Sequence, residues 1–474
     1  MMYTKLKAST IKNWMDEYLD SIVEKQELRE KYIVNPKADF TRNRTISLQD
    51  TVKMLCTSSS GTLDATLSEY YDDDELHPTP TAHINAMKKI KQCLWEDLFY
   101  DGTEKMIESL DVKTYKGYQL FAIDGTDLAL PKYDEECFIS SAIHHGQVSS
   151  HYAIHINPLL NILSGICHDV VLQMGAAMNE QSAAVELVDN LRTETKSIIE
   201  GDRAYLSYNL MAHIIEAGHY FLLRSKDGDS TQSIGSYWWD KFGKGKDTGS
   251  INVTIRLTRA NTKAVKSSDL YHALPGKRKF DFLPQESPFK QGRKSHSVEE
   301  IPSEYYYEIS FRVVRVRIGE EGSDNEYELL VTNLPEDEFT DEELKELYHL
   351  RWTLETYFRE LKHDAGLLYF HAKRTDFIIA EIYAKLFLQN LIAGLCTEAF
   401  KSKEKREHRK IKDKDINHSN ASRETKKFLR KGDRGDPEKF LIQLATGLVP
   451  IKENRSFPRR LHLRGFYGFG YRAA

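Results

Sequence analysis

Two acidic residues stand at the ends of short apolar runs: "GYQLFAID" finishes on Asp124 and "SIIEGD" on Asp202. Active side chains gather at strand ends because the backbone there is held rigidly while the side chain meets solvent. If the two strands are neighbours, both carboxylates converge on one spot and repel unless a cation joins them. Oxygen ligands with no Cys or His nearby favour magnesium or manganese. A third carboxylate, Glu355, lies in "LYHLRWTLETYFRELKHDAGL". There Tyr348, Arg351, Glu355 and Lys362 follow one another at steps of three, four and seven, which at about 100° per residue brings them back to one flank of a helix. Three carboxylates can hold two ions about 3.5–4 Å apart, the arrangement that serves in-line displacement at phosphorus. Arg351 and Lys362 suit phosphate, one as a fork and the other as a point charge. Tyr348 can donate a hydrogen bond to a strand near the cut.

The elements that must position these residues read clearly. On the other flank of the same helix, Leu347, Leu350, Leu354, Phe358 and Leu361 form a buried stripe. From Lys113, the strand to Asp124 is followed by two strands joined by a turn in "HYAIHINPLLNILSGICHDVVLQMG". A helix at "EQSAAVELVDNL", the strand to Asp202, the helix "YNLMAHIIEAG" and the strand "YFLLRS" come next. Strands followed by alternating helices and strands indicate an α/β fold, a mixed sheet flanked by helices. Residues 226–325 hold two alternating runs, "SINVTIRLTR" and "EYYYEISFRVVRVRI", and read as a β-rich insertion. "YELLVTNLP" then returns to the core and enters the Glu355 helix through a Thr340 cap.

Residues 1–112 read as helical. "SLQDTVKMLCTS" is capped by Ser47, an acidic "DDDE" turn follows, and a helix over "TAHINAMKKIKQCLWEDLFY" carries Lys88 and Lys89. Helix, turn and basic helix would suit DNA contact. Residues 401–474 hold roughly 21 basic against roughly 9 acidic side chains, a local excess within a chain of net charge −5. Five scattered cysteines with no C-x-x-C pair argue for a reducing compartment and against a disulfide framework. "FIIAEIYAKLFLQNLIAGLC" is interrupted by Glu381, Lys385, Gln389 and Asn390, so it reads as a buried helix rather than a membrane span. A soluble cytoplasmic protein with no membrane partner is the expectation.

The run Y-x2-R-x3-E-x6-K, here Tyr348, Arg351, Glu355 and Lys362, resembles the signature of DDE transposases of bacterial insertion sequences of the IS-four type. "IDGTD" at Asp124 and "GDRAY" at Asp202 are similar to that family's two aspartate motifs, and "NRSFPRR" to its basic ending. The resemblance implies a ribonuclease-H-like catalytic core in segments 113–225 and 326–400, interrupted by the insertion. A helical N-terminal DNA-binding region and a basic C-terminal region for DNA contact or dimerisation would flank it. It also implies catalysis and metal binding by Asp124, Asp202 and Glu355 with two Mg2+ or Mn2+ ions. The substrates would be the element's inverted-repeat ends and target DNA, with strand transfer by a homodimer assembled on DNA and a hairpin intermediate available. A ribonuclease-H-like nuclease without joining, and a DNA-binding derivative without catalysis, remain alternatives.

Other residues carry weaker expectations. Arg203, beside Asp202, suits either phosphate contact or a structural ion pair. Trp238 and Trp239, in a loop ahead of lysines, suit core packing, or base stacking near a cut end. Asp127 reads as a turn residue. His151, His155 and Asn157 share a strand face and read as sheet packing or polar contact rather than a zinc site.

Overall fold

A computed structural model describes residues 8–450 apart from 43, 59–60, 72–76, 112, 131–136, 141–149, 229–232, 275, 277, 290–295, 321–325, 369, 371, 409–413 and 431–435. The "DDDE" turn and "NRSFPRR" lie outside the described residues.

Six helices open the described chain: α1 (Ala8–Glu24), α2 (Gln26–Tyr32), α3 (Leu48–Thr57), α4 (Leu63–Tyr70), α5 (Pro80–Met87) and α6 (Cys93–Ser109). Ser47 caps α3 in a reciprocal capping box with Asp50, which satisfies two otherwise orphaned N–H groups. The single helix expected from Thr81 to Tyr100 is instead split into α5 and α6. Between them Ile90 forms a bridge with Ile33, and the Lys91 N–H reaches the Tyr32 carbonyl at 2.8 Å. Lys88 therefore closes α5 and Lys89 sits in a turn, paired with Asp39 at 3.8 Å.

The chain then enters β1 (Gln119–Ile123), β2 (Thr126–Leu130), β3 (Phe138–Ser140), β4 (Ser150–Asn161), β5 (Ile166–Met174), α7 (Glu180–Asn190), β6 (Ser197–Gly201), α8 (Tyr208–Glu216) and β7 (Tyr220–Ser225). β5, β4 and β1 are antiparallel neighbours, and β1, β6 and β7 run parallel. Next come α9 (Ile234–Phe242), β8 (Gly249–Thr258), α10 (Lys263–Ser267), β9 (Tyr271–Ala273), β10 (Tyr306–Arg317) and β11 (Tyr327–Thr332). The long strands of 226–325 build no sheet of their own. β8 and β10 join through β11 to β7, so β1 to β11 form one 11-stranded sheet.

α11 (Asp341–His349), α12 (Trp352–His363), α13 (Thr375–Glu407), β12 (Lys414–Ile416), α14 (His418–Arg430), α15 (Pro437–Leu444) and β13 (Leu448–Pro450) complete the described chain. Strand alternation divides the core. Leu120, Ala122, Ile198, Leu222 and Leu330 face a cluster with α6, α12 and α13. Phe121, Ile123, Ile199, Phe221 and Leu223 face α7, α8 and α9. Helices thus cover both faces of the sheet, and each fully buried Leu or Phe contributes on the order of 1.5–3 kcal/mol. α14 and α15 belong to the first cluster through Phe428 and Phe440, whose rings stack at 4.3 Å. The described part of the basic C-terminal region is therefore packed rather than trailing. Among the described residues, α13 alone is long and apolar enough to cross a membrane, and 89% of its apolar window is buried inside the protein.

Candidate active site

β1 and β2 pair with the same edge of β4 in one register: Ile123 opposes Leu159 and Thr126 opposes Ile156. They are one antiparallel run interrupted at Asp124–Gly125, across from Asn157 and Pro158. Proline has no N–H to give a ladder, so the pairing opens there. Asp124 thus occupies a break inside a strand run rather than a strand's last position. Asp127, expected in a turn, lies in β2.

Parallel pairing of β1 with β6 sets Ile123 beside Gly201. Asp124 and Asp202 are therefore each the first residue past adjacent strands, whose backbones run about 4.8 Å apart. Alternation turns both side chains, with Glu200, toward the face that α12 covers.

The expected continuous helix from Leu347 is two helices, α11 and α12. At the junction the N–H groups of Leu350 and Arg351 bond back three residues, to Leu347 and Tyr348. Such tight turns advance about 120° per residue instead of 100°, which brings Tyr348 into line with Arg351, whose guanidinium lies 5.5 Å from its ring. Tyr348 is buried there at 2% exposure, so it is not an open donor toward a DNA strand. The apolar stripe keeps its expected role, with Leu347, Leu354, Phe358 and Leu361 buried and Leu350, at the junction, only partly so.

Arg351 is the hub. It is 4% exposed; Nη1 donates to Asp124 Oδ2 at 3.2 Å, and Nη2 lies 3.8 Å from Glu355 Oε1. Burial opposes its charge, but Tyr348, Asp124, Asp202 and Glu355 together raise its pKa. Asp124 also accepts the Gly125 N–H at 2.8 Å. Its carboxyl is pushed up to about 6, chiefly by burial; Arg351 and the Gly125 N–H oppose the shift, and Asp202 and Glu180 add to it. Asp202 accepts the Ala204 N–H at 2.7 Å. Lys362 Nζ donates to Thr126 Oγ1 at 2.6 Å, tying the end of the stripe to the "DGTD" segment.

Among the described residues no three His, Cys, Asp or Glu side chains already stand as a metal-holding group. Asp124, Asp202 and Glu355 fit hard divalent ions by donor type and by their common neighbour, the Arg351 guanidinium.

The remaining candidates divide. Arg203 is exposed and lines a cavity of about 540 Å³ with Lys226, Arg278 and Lys279, a basic setting. Lys88 is exposed on the N-terminal helices. Trp238 and Trp239 are not in a loop: α9 carries them, and they are 1% and 6% exposed. Trp238 Nε1 donates to Tyr208 Oη at 2.8 Å. With their faces packed in the core, they offer no surface for stacking a base. His155 makes polar contacts with Asp127 and Glu180, Asn157 donates to the Val171 carbonyl at 3.4 Å, and the His151 side chain lies outside the described residues.

Two residues at the site were not read from the sequence. Trp352 is 50% exposed, beside Arg351; an aromatic on the polar side of an amphipathic helix was the available signal. Glu200 is fully buried, and its carboxyl oxygens have no hydrogen-bond partner among the described residues. Burial pushes its pKa well above the usual carboxylate range, with Arg351 opposing. Its position two residues before Asp202, on the same strand face, was the signal.

Residues 115–391 match the family model described as the transposase DDE domain. A segment of 64 residues is 41% identical to the transposase of insertion sequence element IS421 of Escherichia coli, covering 14% of this chain and 17% of that protein. Transposase InsL of element IS186A, from Escherichia coli strain K12, matches to the same extent. The chain therefore spans about a sixth of the length of the curated relatives it matches. The structure of the piggyBac transposase synaptic complex with hairpin DNA aligns at TM-score 0.42 and 9% identity, covering 94% of this chain and 83% of that one. At that level it bears on neither fold nor function.

Proposed function

This chain belongs to the transposase DDE domain family, and from that premise we propose that it cuts DNA at the ends of an insertion sequence and joins the freed 3′ ends to target DNA. One guanidinium carries the reading: Arg351 reaches Asp124 at 3.2 Å and Glu355 at 3.8 Å, with Asp202 just past the end of the neighbouring strand. The strand order β5-β4-β1-β6-β7, with β4 antiparallel to both neighbours, supports a ribonuclease-H-like core.

Asp124, Asp202 and Glu355 would hold two Mg2+ or Mn2+ ions, which when bound activate the attacking oxygen and stabilise the leaving one. Arg351 and Lys362 orient the scissile phosphate by charge-assisted hydrogen bonds. Glu200, buried near Arg351 where burial disfavours its charged form, adds little negative charge to the floor of the site. Trp352 takes the stacking role that Trp238 and Trp239 cannot fill. Arg203 and its basic neighbours, Lys88, Lys89 and the C-terminal region neutralise phosphates away from the cut, so binding weakens steeply with salt. A homodimer on paired ends is the working assembly. Segments 1–112 and 401–474 serve DNA contact, 113–225 with 326–400 the chemistry, and 226–325 the flank of the site.

Labelled element ends incubated with magnesium, with wild type beside Glu355→Gln, test this. Joined products that vanish in the variant are expected. Cleavage without joining would make the chain a nuclease, and binding without either would make it a non-catalytic DNA-binding protein.

A further inference from the structure

Beneath the break at Asp124–Gly125 lies an ion cluster around a buried histidine that the catalytic reading leaves unused. His155, on β4, is 3% exposed. Its Nδ1 stands 2.7 Å from Asp127 Oδ1 on β2. Its Nε2 stands 3.3 Å from Glu180 Oε1 in the first turn of α7, within ion-pair reach though not aligned as a hydrogen bond. Burial alone would lower the imidazole's pKa, but the contacts with Asp127 and Glu180 outweigh it and lift it to about 9. The ring therefore carries a charge at neutral pH, and one cation ties β2, β4 and α7 together.

The cluster touches the site through Gly125. A β-carbon there would run into His155 Nε2 and stand 2.8 Å from Glu180 Oε1. The backbone next to Asp124 thus rests directly on the ring and its partner carboxylate. That backbone also donates the Gly125 N–H to Asp124 Oδ1 at 2.8 Å, so the carboxylate follows wherever Gly125 sits. Glu180 is near enough for its charge to be felt at Asp124, and Tyr205 feels Glu180, Asp124 and Asp202 alike.

We propose that His155 is a positioning residue: clamped between Asp127 and Glu180, its imidazolium is the seat on which the Asp124–Gly125 break rests, and it fixes the reach of the Asp124 carboxylate. The inference rests on the reading of Asp124 as an ion-holding acid. Partners that orient a ligand from behind typically change metal affinity or activity by about 10–100-fold when lost, and a seat of this kind belongs to that class.

The test uses the full chain, with Mn2+ binding followed by the electron paramagnetic resonance of free Mn2+ and single-turnover cutting of labelled end DNA. His155→Gln removes the charge, and Glu180→Gln loosens the clamp from its more exposed side. Both are expected to weaken Mn2+ binding and slow cutting at saturating DNA by about 10-fold or more, with DNA affinity unchanged within about two-fold. Wild-type Mn2+ affinity and cutting in His155→Gln, with only the melting temperature lowered, would reduce the residue to packing and overturn the proposal. Should His155→Gln fail to fold, Glu180→Gln decides by the same criteria. A wild-type chain that binds no Mn2+ would instead sink the catalytic reading, and this inference with it.

Discussion

Lys385 and Asn390, inside α13, are as deeply buried as any group near Arg351, yet they are provided for. The Lys385 ammonium donates to the Cys56 carbonyl, the Ser58 carbonyl and Ser58 Oγ at 3.1, 2.5 and 2.7 Å. Asn390 Oδ1 accepts the Cys167 N–H at 2.8 Å, and its Nδ2 donates to Thr103 Oγ1 and the Cys167 carbonyl at 2.8 and 2.7 Å. Around Arg351, on the same face of the sheet, the Glu200 carboxyl, the Tyr348 hydroxyl and Arg351 Nε have no hydrogen-bond partner among the described residues. Each such group costs about 1–3 kcal/mol. Lys385 and Asn390 are satisfied where only stability is at stake, although Gln389 Oε1 of the same helix has no hydrogen-bond partner among the described residues. On the proposed function the site tolerates the expense because its charges serve chemistry, and buried groups left unpaired in a native fold call for an explanation of that kind.

Lys385→Met should widen the contrast most. It keeps the stem but strips the donors from three acceptors, and a loss of about 3 kcal/mol is expected in urea unfolding. Cutting per folded molecule should be unchanged; a loss of activity without a loss of stability would break the comparison. Gly125→Ala comes next, because the new methyl meets His155 and Glu180. Overpacking of this kind costs about 1–3 kcal/mol, and here cutting should fall with stability.

How much of this was legible in the sequence follows the same division. The strands to Asp124 and Asp202 and the buried stripe Leu347, Leu354, Phe358 and Leu361 were readable because alternation and helical spacing are local. The Ser47 and Thr340 caps were readable from residue type, and both carry capping boxes. The split at Leu350–Arg351 was not, since both sides of it have helical spacing and only the hydrogen-bond pattern changes. Trp238 and Trp239 were misplaced because neighbouring lysines and glycines suggest a loop, while burial against Tyr208 is decided by distant chain. Asp127 looked like a turn residue for want of its partner His155, 28 positions away. The joining of 226–325 to the main sheet depends on pairing between β7 and β11, which no local pattern encodes.

Two smaller effects sharpen the contrast at the site itself. Asp124 titrates near 6, above its ordinary value, so a proton competes with an ion for it as pH falls through that value. Mn2+ affinity should drop by up to about tenfold per unit below pH 6 and level off above it. For stability the sign is opposite. The folded chain holds that proton more tightly than the unfolded one, so this group favours folding as pH falls from 6 toward 4. Mn2+ titrations and urea melts at pH 5 and 7 should therefore move in opposite directions. Glu200→Gln is expected to do least. Burial already disfavours the charged form of its carboxyl, so a neutral amide of the same shape should change stability by less than about 1 kcal/mol in urea melts, far from the effect at Lys385. A loss as large as that of Lys385→Met would mean that Glu200 is an ordinary structural partner.

The most direct measurement is a Mn2+ binding isotherm on wild type, Asp124→Asn, Asp202→Asn and Glu355→Gln, each checked for folding by its melting curve. Loss of at least tenfold in affinity in every variant, with the folds intact, is expected of three acids sharing ions. Wild-type affinity in any one of them would remove that acid from the site and contradict the account.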